Sequence, residues 1–499
     1  MIDMHSRRSL ANVSKPQEET DSHKFLANAE HEQYGTHDAH LDGREFLEKD
    51  FMRLKGRGLI AGFNVTVVVG ITDGICNRCY NAESDYFATF SHKNKKITYC
   101  RKCIDFGMIT TETKLYRIAS TNKIAPEVGL LNKDFQLSFL QKKASNFSKD
   151  IVKNRKRGII WAVCGAGKTE MMFESIAHAL TDGLRVCWAI PRVDVVIDLS
   201  PRIKIAFPKA TVVTLHGNSN QKANYGDIVV TTVHQMIRFY EAFDFLIIDE
   251  VDAFPYSYDD MLVRIAKRAC KPNAATIYLS ATPSKSDQAD IKKGSLASCV
   301  IPARYHLFPL DVPKYKWCAK FYQQVAKGKM PKPVKTWINR KIKEKRRALL
   351  FVPTINCGLK FQATLKKCLK LDIDFVYSSN PERGAKVASY KQGATQFLIT
   401  TMILERGITI SNIDVAIFAA EHEVYDESAL VQISGRVGRN PLWPTGEIIF
   451  FHHGITKAME DAKMQIIQMN KLAQNSASNT LMPDKNSKLL RQTPPNVLS

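Results

Sequence analysis

The sequence predicts an α/β protein of two tandem parallel-sheet lobes preceded by a small module built around four cysteines. Three observations carry that prediction. Apolar strand signals alternate with helix-period segments from about residue 124 to 470, the pattern of parallel sheets covered by helices. The chain has 499 residues, enough for about three folding units at roughly 150 residues each. Four of its 11 cysteines form two matched pairs, Cys76-x-x-Cys79 and Cys100-x-x-Cys103.

Composition narrows the function classes. Hydrophobic residues are 44% and charged residues 24%, too apolar for a disordered chain. The length excludes a small disulfide scaffold. No stretch approaches the ~18–20 apolar residues of a membrane-spanning helix. The opening MIDMHSRRSL lacks the apolar segment of a secretory signal, so a cytoplasmic location is expected. The formal net charge of +22 predicts a polyanion or an anionic surface as partner.

Residues 1–50 are polar, with His5, His23, His31, His37 and His40 too irregularly spaced for a metal site, and are expected to be a disordered tail. Residues 51–123 form the cysteine module and its flanks. Two residues between thiolates let both sulfurs face one ion, and two such knuckles complete a tetrahedral S₄ site suited to Zn²⁺. With Cys76, Cys79, Cys100 and Cys103 all ligating, no position remains for an activated water, so the zinc is structural. Six basic residues between 76 and 103 are interleaved with Tyr80, Tyr86, Phe87, Phe90 and Tyr99. That mixture suits single-stranded nucleic acid; equally, the rings form a small core and the lysines a solvated face.

The first lobe is expected over 124–301. Residues 159–170, IIWAVCGAGKTE, read as a buried strand, a tight loop at Gly165-Ala166-Gly167 and a helix opening with Lys168-Thr169. Backbone N–H groups of such a loop approach phosphate oxygens, Lys168 reaches the β/γ-phosphates and the Thr169 hydroxyl ligates Mg²⁺. Further on, FLIIDEVDAF ends a strand in Asp249-Glu250. Beside a phosphate loop, Asp249 suits Mg²⁺ and Glu250 suits activation of the attacking water. A proline-containing stretch, 302–334, is expected to link the lobes. The second lobe is expected over 335–470, and 471–499, rich in Asn, Ser, Gln and Pro, as a disordered tail. No internal sequence repeat is visible.

From here the string resembles a superfamily-two helicase-type ATPase with a DEAD/DEAH-type core, and the motifs come in the family's order. CWAIPRV at 187–193 resembles motif Ia, TTVHQ at 231–235 motif Ib, Ser280-Ala281-Thr282 motif III, LLFVPT at 349–354 motif IV and TTMILERGIT at 400–409 motif V. Gln432-Ile-Ser-Gly-Arg436-Val-Gly-Arg439 resembles motif VI. The resemblance implies two RecA-like lobes, with Gln432, Arg436 and Arg439 meeting the γ-phosphate across the cleft. Guanidinium groups suit that task through planar, bidentate hydrogen bonds. It also implies single-strand contacts at Pro191, Arg192, Thr231, Thr232, His234, Gln235, Thr354, Thr400 and Thr401, and nucleotide contact at Gly407. Leu137-Ser138-x-x-Gln141 resembles an adenine-reading element, with the Gln141 amide on the base edge.

More narrowly, the chain resembles the ComFA family of late-competence ATPases. The four-cysteine module immediately before the core, CGAGKTE, DEVDAFPY and RYHLFPLDVPK carry that resemblance across roughly residues 55–465. It implies an ATP hydrolase stimulated by DNA, a translocase pulling single-stranded transforming DNA through a ComEC-type channel, with a ComFC-like protein as partner at the inner face of the membrane. Two other readings use the same residues. One is a duplex-unwinding helicase of repair or replication restart; the other is a zinc-dependent DNA-binding adaptor without turnover.

Overall fold

The computed structural model describes residues 41–121, 124–132, 135–221, 224–406 and 410–480. The histidines of the head and the sequence from 481 onward lie outside the described residues. The N-terminal module begins with β1 (Glu45–Leu47), helix α1 (Glu48–Gly56) and β2 (Val65–Val69). Next come β3 (Ile71–Thr72), β4 (Ile75–Cys76), the hairpin β5 (Phe87–His92) and β6 (Lys95–Cys100), then β7 (Ile109–Thr110) and β8 (Lys114–Ile118). Lys93 and Asn94 both have positive φ, the backbone a tight two-residue hairpin requires.

This corrects the expectation for 41–50. β1 pairs with β8, and Phe46, Phe51 and Leu54 pack with Tyr116 and Ile118. Glu45 is buried and meets Arg117 at 2.9 Å and Arg268 of the first lobe at 2.7 Å. A carboxylate ringed by arginines looks solvent-bound in sequence because its partners lie far along the chain.

The first lobe follows: α2 (Phe139–Lys153), β9 (Arg157–Ala162), α3 (Lys168–Thr181), β10 (Val186–Ile190), α4 (Val193–Ala206), β11 (Val212–Leu215), β12 (Ile228–Thr232), β13 (Phe243–Asp249), α5 (Asp260–Arg268), β14 (Cys270–Ser280), α6 (Lys285–Lys293) and β15 (Ala297–Ile301). Its sheet is parallel in the order β11-β12-β10-β13-β14-β9-β15. Strands such as Val186–Ile190 are buried along their whole length, as expected for a sheet covered on both faces.

The second lobe contains β16 (Lys314–Trp317), α7 (Phe321–Ala326), α8 (Lys332–Lys343), β17 (Arg347–Phe351), α9 (Ile355–Leu369), β18 (Asp374–Val376), α10 (Arg383–Gln392), β19 (Phe397–Thr400), β20 (Ile413–Phe418), α11 (Glu427–Ser434), β21 (Ile448–His452) and α12 (Lys457–Thr480). Its parallel sheet runs β16-β21-β20-β17-β19-β18. Two expectations are corrected here. The stretch 302–334 is not all linker, because β16 adds to the second sheet beside β21 and Phe321 and Val325 enter its core. Residues 471–480 continue α12, whose Met469 joins the core of the first lobe. In the basic run 341–347, Lys341 and Arg346 pair with the buried Asp414 at 2.6 and 2.7 Å, while Lys343 and Lys345 are exposed.

Candidate nucleotide site and inter-lobe junction

Every strand in each lobe is parallel, so all carboxyl ends lie on one edge, where α/β sheets bind ligands. After β9 the chain turns through Gly165 and Gly167, whose φ values of +82° and +78° suit glycine. A side chain on Gly167 would also strike Gln141 Nε2 at 2.4 Å. Lys168 and Thr169 open α3, directing its N-terminus at the loop.

Gln141 reaches this loop, but its amide is engaged at both ends. Oε1 accepts from the Ser138 N–H at 2.9 Å and Nε2 donates to the Ala166 carbonyl at 3.0 Å. Ser138-x-x-Gln141 is thus a capping box for α2 and a strut under the phosphate loop. Gly407 lies outside the described residues.

Asp249 ends β13 and accepts the Glu250 N–H at 2.9 Å. Burial pushes the Asp249 carboxyl up to about 6 against the opposing pull of Lys168. Glu250 has φ +53°, a left-handed conformation that costs a non-glycine residue about 1–3 kcal/mol. Its Oε2 is buried without a hydrogen-bond partner among the described residues. Gly165–Glu170, Asp249, Glu250, Gln432 and Arg439 line one cavity of about 520 Å³. An acidic oxygen and a hydroxyl beside a phosphate cradle form a hard, oxygen-donor set that fits Mg²⁺, which Thr169 and Asp249 would hold. The ion would offset phosphate charge and keep Asp249 ionised.

Motif VI enters from the second lobe on α11 and the turn after it. A Cβ on Gly435 would overlap Cys164 Cβ at 2.4 Å, so only glycine lets this turn rest on the phosphate loop. The Cys164 thiol donates to Gln432 Oε1 at 2.9 Å. Arg439 lines the cavity and donates to the Gly435 carbonyl, whereas Arg436 is 3% exposed and donates to the Glu405 carbonyl at 2.9 Å. Burial lowers both guanidinium pKa values, and Arg439 lowers that of Arg436 further. Two cations buried together favour an anion between the lobes.

Four groups to which the sequence assigns no role complete the junction. Asp252 accepts from Ser280 at 2.8 Å and Thr282 at 2.7 Å in the first lobe, and from Arg406 at 2.6 Å and Ser428 at 3.1 Å in the second. Against burial, the Arg406 and Lys168 cations and the Thr282 hydroxyl hold its carboxyl below the usual carboxylate range. Arg406, 2% exposed, also lies 3.7 Å from Glu250. Arg304 donates to the Cys164 carbonyl at 3.3 Å and the Gly438 carbonyl at 2.7 Å, and Gln465 of α12 donates to the Ala281 carbonyl at 2.8 Å. The available signal is a charged pair, Glu405-Arg406, inside an otherwise apolar run; its partner Asp252 lies 154 positions away.

The expected strand contacts sit on the same edge, displaced from the nucleotide cavity. Pro191 and Arg192 follow β10, Thr231 and Thr232 end β12, and Thr400 ends β19 with Thr401 just beyond it. Arg192 donates to Asp194 and to the Ile403 carbonyl of the second lobe at 2.9 Å. Thr231 and Thr400 are fully buried, their hydroxyls donating at 3.0 Å to the carbonyls of Thr232 and Thr401. Gln235 accepts from Arg238, and Thr354 is the N-cap of α9. His234 stacks on Phe106 of the N-terminal module, ring centroids 6.2 Å apart.

The four cysteine sulfurs are buried and lie within 4.8 Å of one another. Cys76–Cys103 and Cys79–Cys100 separations are 3.7 and 3.6 Å. A tetrahedron with Zn–S of about 2.3 Å has edges of about 3.8 Å, so the donors fit zinc. The cysteines share a core with Val229, Met236 and Leu262 of the first lobe, which makes the module a fixed part of that lobe.

This phosphate loop, strand-end acid pair and opposing arginine motif on two parallel-sheet lobes define a superfamily-two ATP-hydrolysing enzyme of the helicase type, which uses ATP and Mg²⁺ and binds nucleic acid. Family models for "Type III restriction enzyme, res subunit" and "Helicase conserved C-terminal domain" match residues 133–285 and 330–441, and "Competence protein ComFA N-terminal domain" matches 38–117. The chain is 41% identical over 398 residues to competence protein ComFA of Bacillus subtilis (strain 168), covering 80% of this chain and 86% of that one. It is 35% identical over 376 residues to competence protein ComFA of Streptococcus pneumoniae (strain ATCC BAA-255 / R6), covering 75% and 86%. The chain belongs to the ComFA family. Its fold is similar to that of S. cerevisiae Dbp5 bound to RNA and ADP BeF3, at 16% identity and a TM-score of 0.50 over 70% of this chain and 97% of that one. No helix among the described residues is long and apolar enough to cross a membrane.

Proposed function

We propose that this competence-related ATPase is a single-stranded DNA translocase that powers uptake of transforming DNA. The division of the first sheet's edge carries the reading. The ends of β9 and β13 hold the nucleotide cavity, while the ends of β10 and β12 hold Arg192 and Thr232, on the side where Arg192 meets the second lobe. A strand lying across both lobes is gripped at two points. Lys168, Thr169 and Asp249 bind the phosphates and metal, Glu250 takes the proton of the attacking water, and Arg439, held by the Gly435 carbonyl, offsets charge developing at the γ-phosphate together with Arg436 and Gln432. Closing and reopening the lobes then alternates the spacing of the two grips. The zinc module, held to His234, carries incoming DNA to the first lobe.

Family membership supports a ComEC-type channel and a ComFC-like protein as partners, at the inner face of the membrane. The test is ATP turnover titrated with single-stranded DNA, duplex DNA and RNA. Single-stranded DNA is expected to raise turnover most. An equal response to RNA, or efficient strand displacement on forked DNA, would overturn the import reading.

A further inference from the structure

Phe254 and Tyr258 follow the acid pair of motif II, yet they are 73% and 71% exposed, among the least covered large apolar residues of the described chain. Their ring centroids lie 6.2 Å apart. Both line a second inter-lobe cleft of about 590 Å³, comparable to the cavity that takes a nucleoside triphosphate, and Arg192 and Thr401 line the same cleft. The Tyr258 hydroxyl donates to Asp426 of the second lobe at 3.3 Å, so that ring spans the junction.

The charge of this cleft selects which part of a nucleic acid faces it. Asp252, Glu405 and Asp426 stand on its wall, and both of its guanidiniums are engaged by carboxylates, Arg192 by Asp194 and Arg406 by Asp252. Phosphates are repelled there, while the flat faces of unpaired bases lose nothing by approaching carboxylates and gain contact with the rings. We infer that Phe254 and Tyr258 form a base-stacking platform for single-stranded nucleic acid, set at the inter-lobe cleft and linked through two residues of backbone to Asp252. The inference rests on the translocase reading and deepens it. A base stacked on Phe254 bears on the segment that begins at Asp252, the carboxylate joining Thr282 to Arg406 and Ser428. Strand occupancy is thereby read by the group that ties the lobes together.

The test compares full-length wild type with Phe254→Leu/Tyr258→Leu, which keeps apolar bulk without rings, and with Phe254→Trp, which keeps a ring. Fluorescence anisotropy measures binding of a labelled oligo-dT and of an abasic sugar–phosphate chain of equal length. Thermal melting and fluorescent-ATP affinity verify that each variant is folded. Wild type should prefer oligo-dT, and the double leucine variant should lose about tenfold or more of that preference, because the stacking of bases on the two rings is removed. Phe254→Trp should retain it. A double leucine variant with the wild-type preference would overturn the platform while leaving the translocase reading intact. A wild type that binds neither chain would overturn both.

Discussion

The two lobes share one strand order. Numbered from its own first strand, the second sheet reads 3-4-2-5-6-1, β18-β19-β17-β20-β21-β16, and the first repeats that order as β11-β12-β10-β13-β14-β9 and adds β15 as a seventh strand beside β9. The likeness reaches the second strand from the edge, where Thr231 and Thr400 are both buried and bond the next carbonyl. It fails at the strand numbered one. In the first lobe β9 leads into Gly165 and Gly167; in the second, β16 leads through Trp317-Cys318-Ala319-Lys320 into α7 with no glycine and no phosphate cradle. One fold therefore carries two jobs. The first lobe offers the triphosphate backbone, a lysine and a carboxylate, and the second offers Gln432 of α11 and the guanidiniums on the turn that follows it.

That asymmetry predicts different losses from the two sides. Lys168→Ala removes a first-lobe phosphate contact and should cost both ATP affinity and DNA-stimulated turnover, the latter by about 10²–10³-fold. Turnover at the wild-type rate would break the assignment of the phosphate loop. Arg406→Ala tests the bridge between lobes. It strips the cation from Asp252 and Glu250 and leaves buried carboxylates uncompensated. Turnover should fall by roughly 10–10²-fold with a lowered melting temperature, and Arg406→Lys should recover part of both.

Zinc removal sharpens the comparison from the other end, since the module shares its core with the first lobe. About one zinc per chain is expected by atomic absorption. Cys79→Ser should lower the first-lobe unfolding transition by roughly 5–10 °C and leave that of the second lobe in place. A shift in both transitions would contradict the docking.

Much of the nucleotide site was legible because its elements are local strings: Gly165-Ala166-Gly167-Lys168-Thr169, Asp249-Glu250 and the Gln432–Arg439 motif each declare their chemistry within a few residues. The junction was not. Arg406 matters through Asp252, and Arg304 through carbonyls of Cys164 and Gly438, and no periodicity connects partners more than 130 positions apart. β16 was hidden for a related reason. Lys314-Tyr-Lys-Trp is an exposed edge strand between prolines, and only its pairing with β21 makes it part of a sheet. Glu45 resembles a solvated acid until Arg117 and Arg268 surround it.

Division of labour between the lobes is tested most directly by Arg439→Ala, with fluorescent-ATP affinity and steady-state turnover measured on the same preparation. Affinity should stay within about fivefold of wild type while turnover falls by about 10³-fold or more, as for an arginine finger acting on developing phosphoryl charge. A variant that loses ATP binding and turnover in equal measure, or keeps turnover, would contradict it.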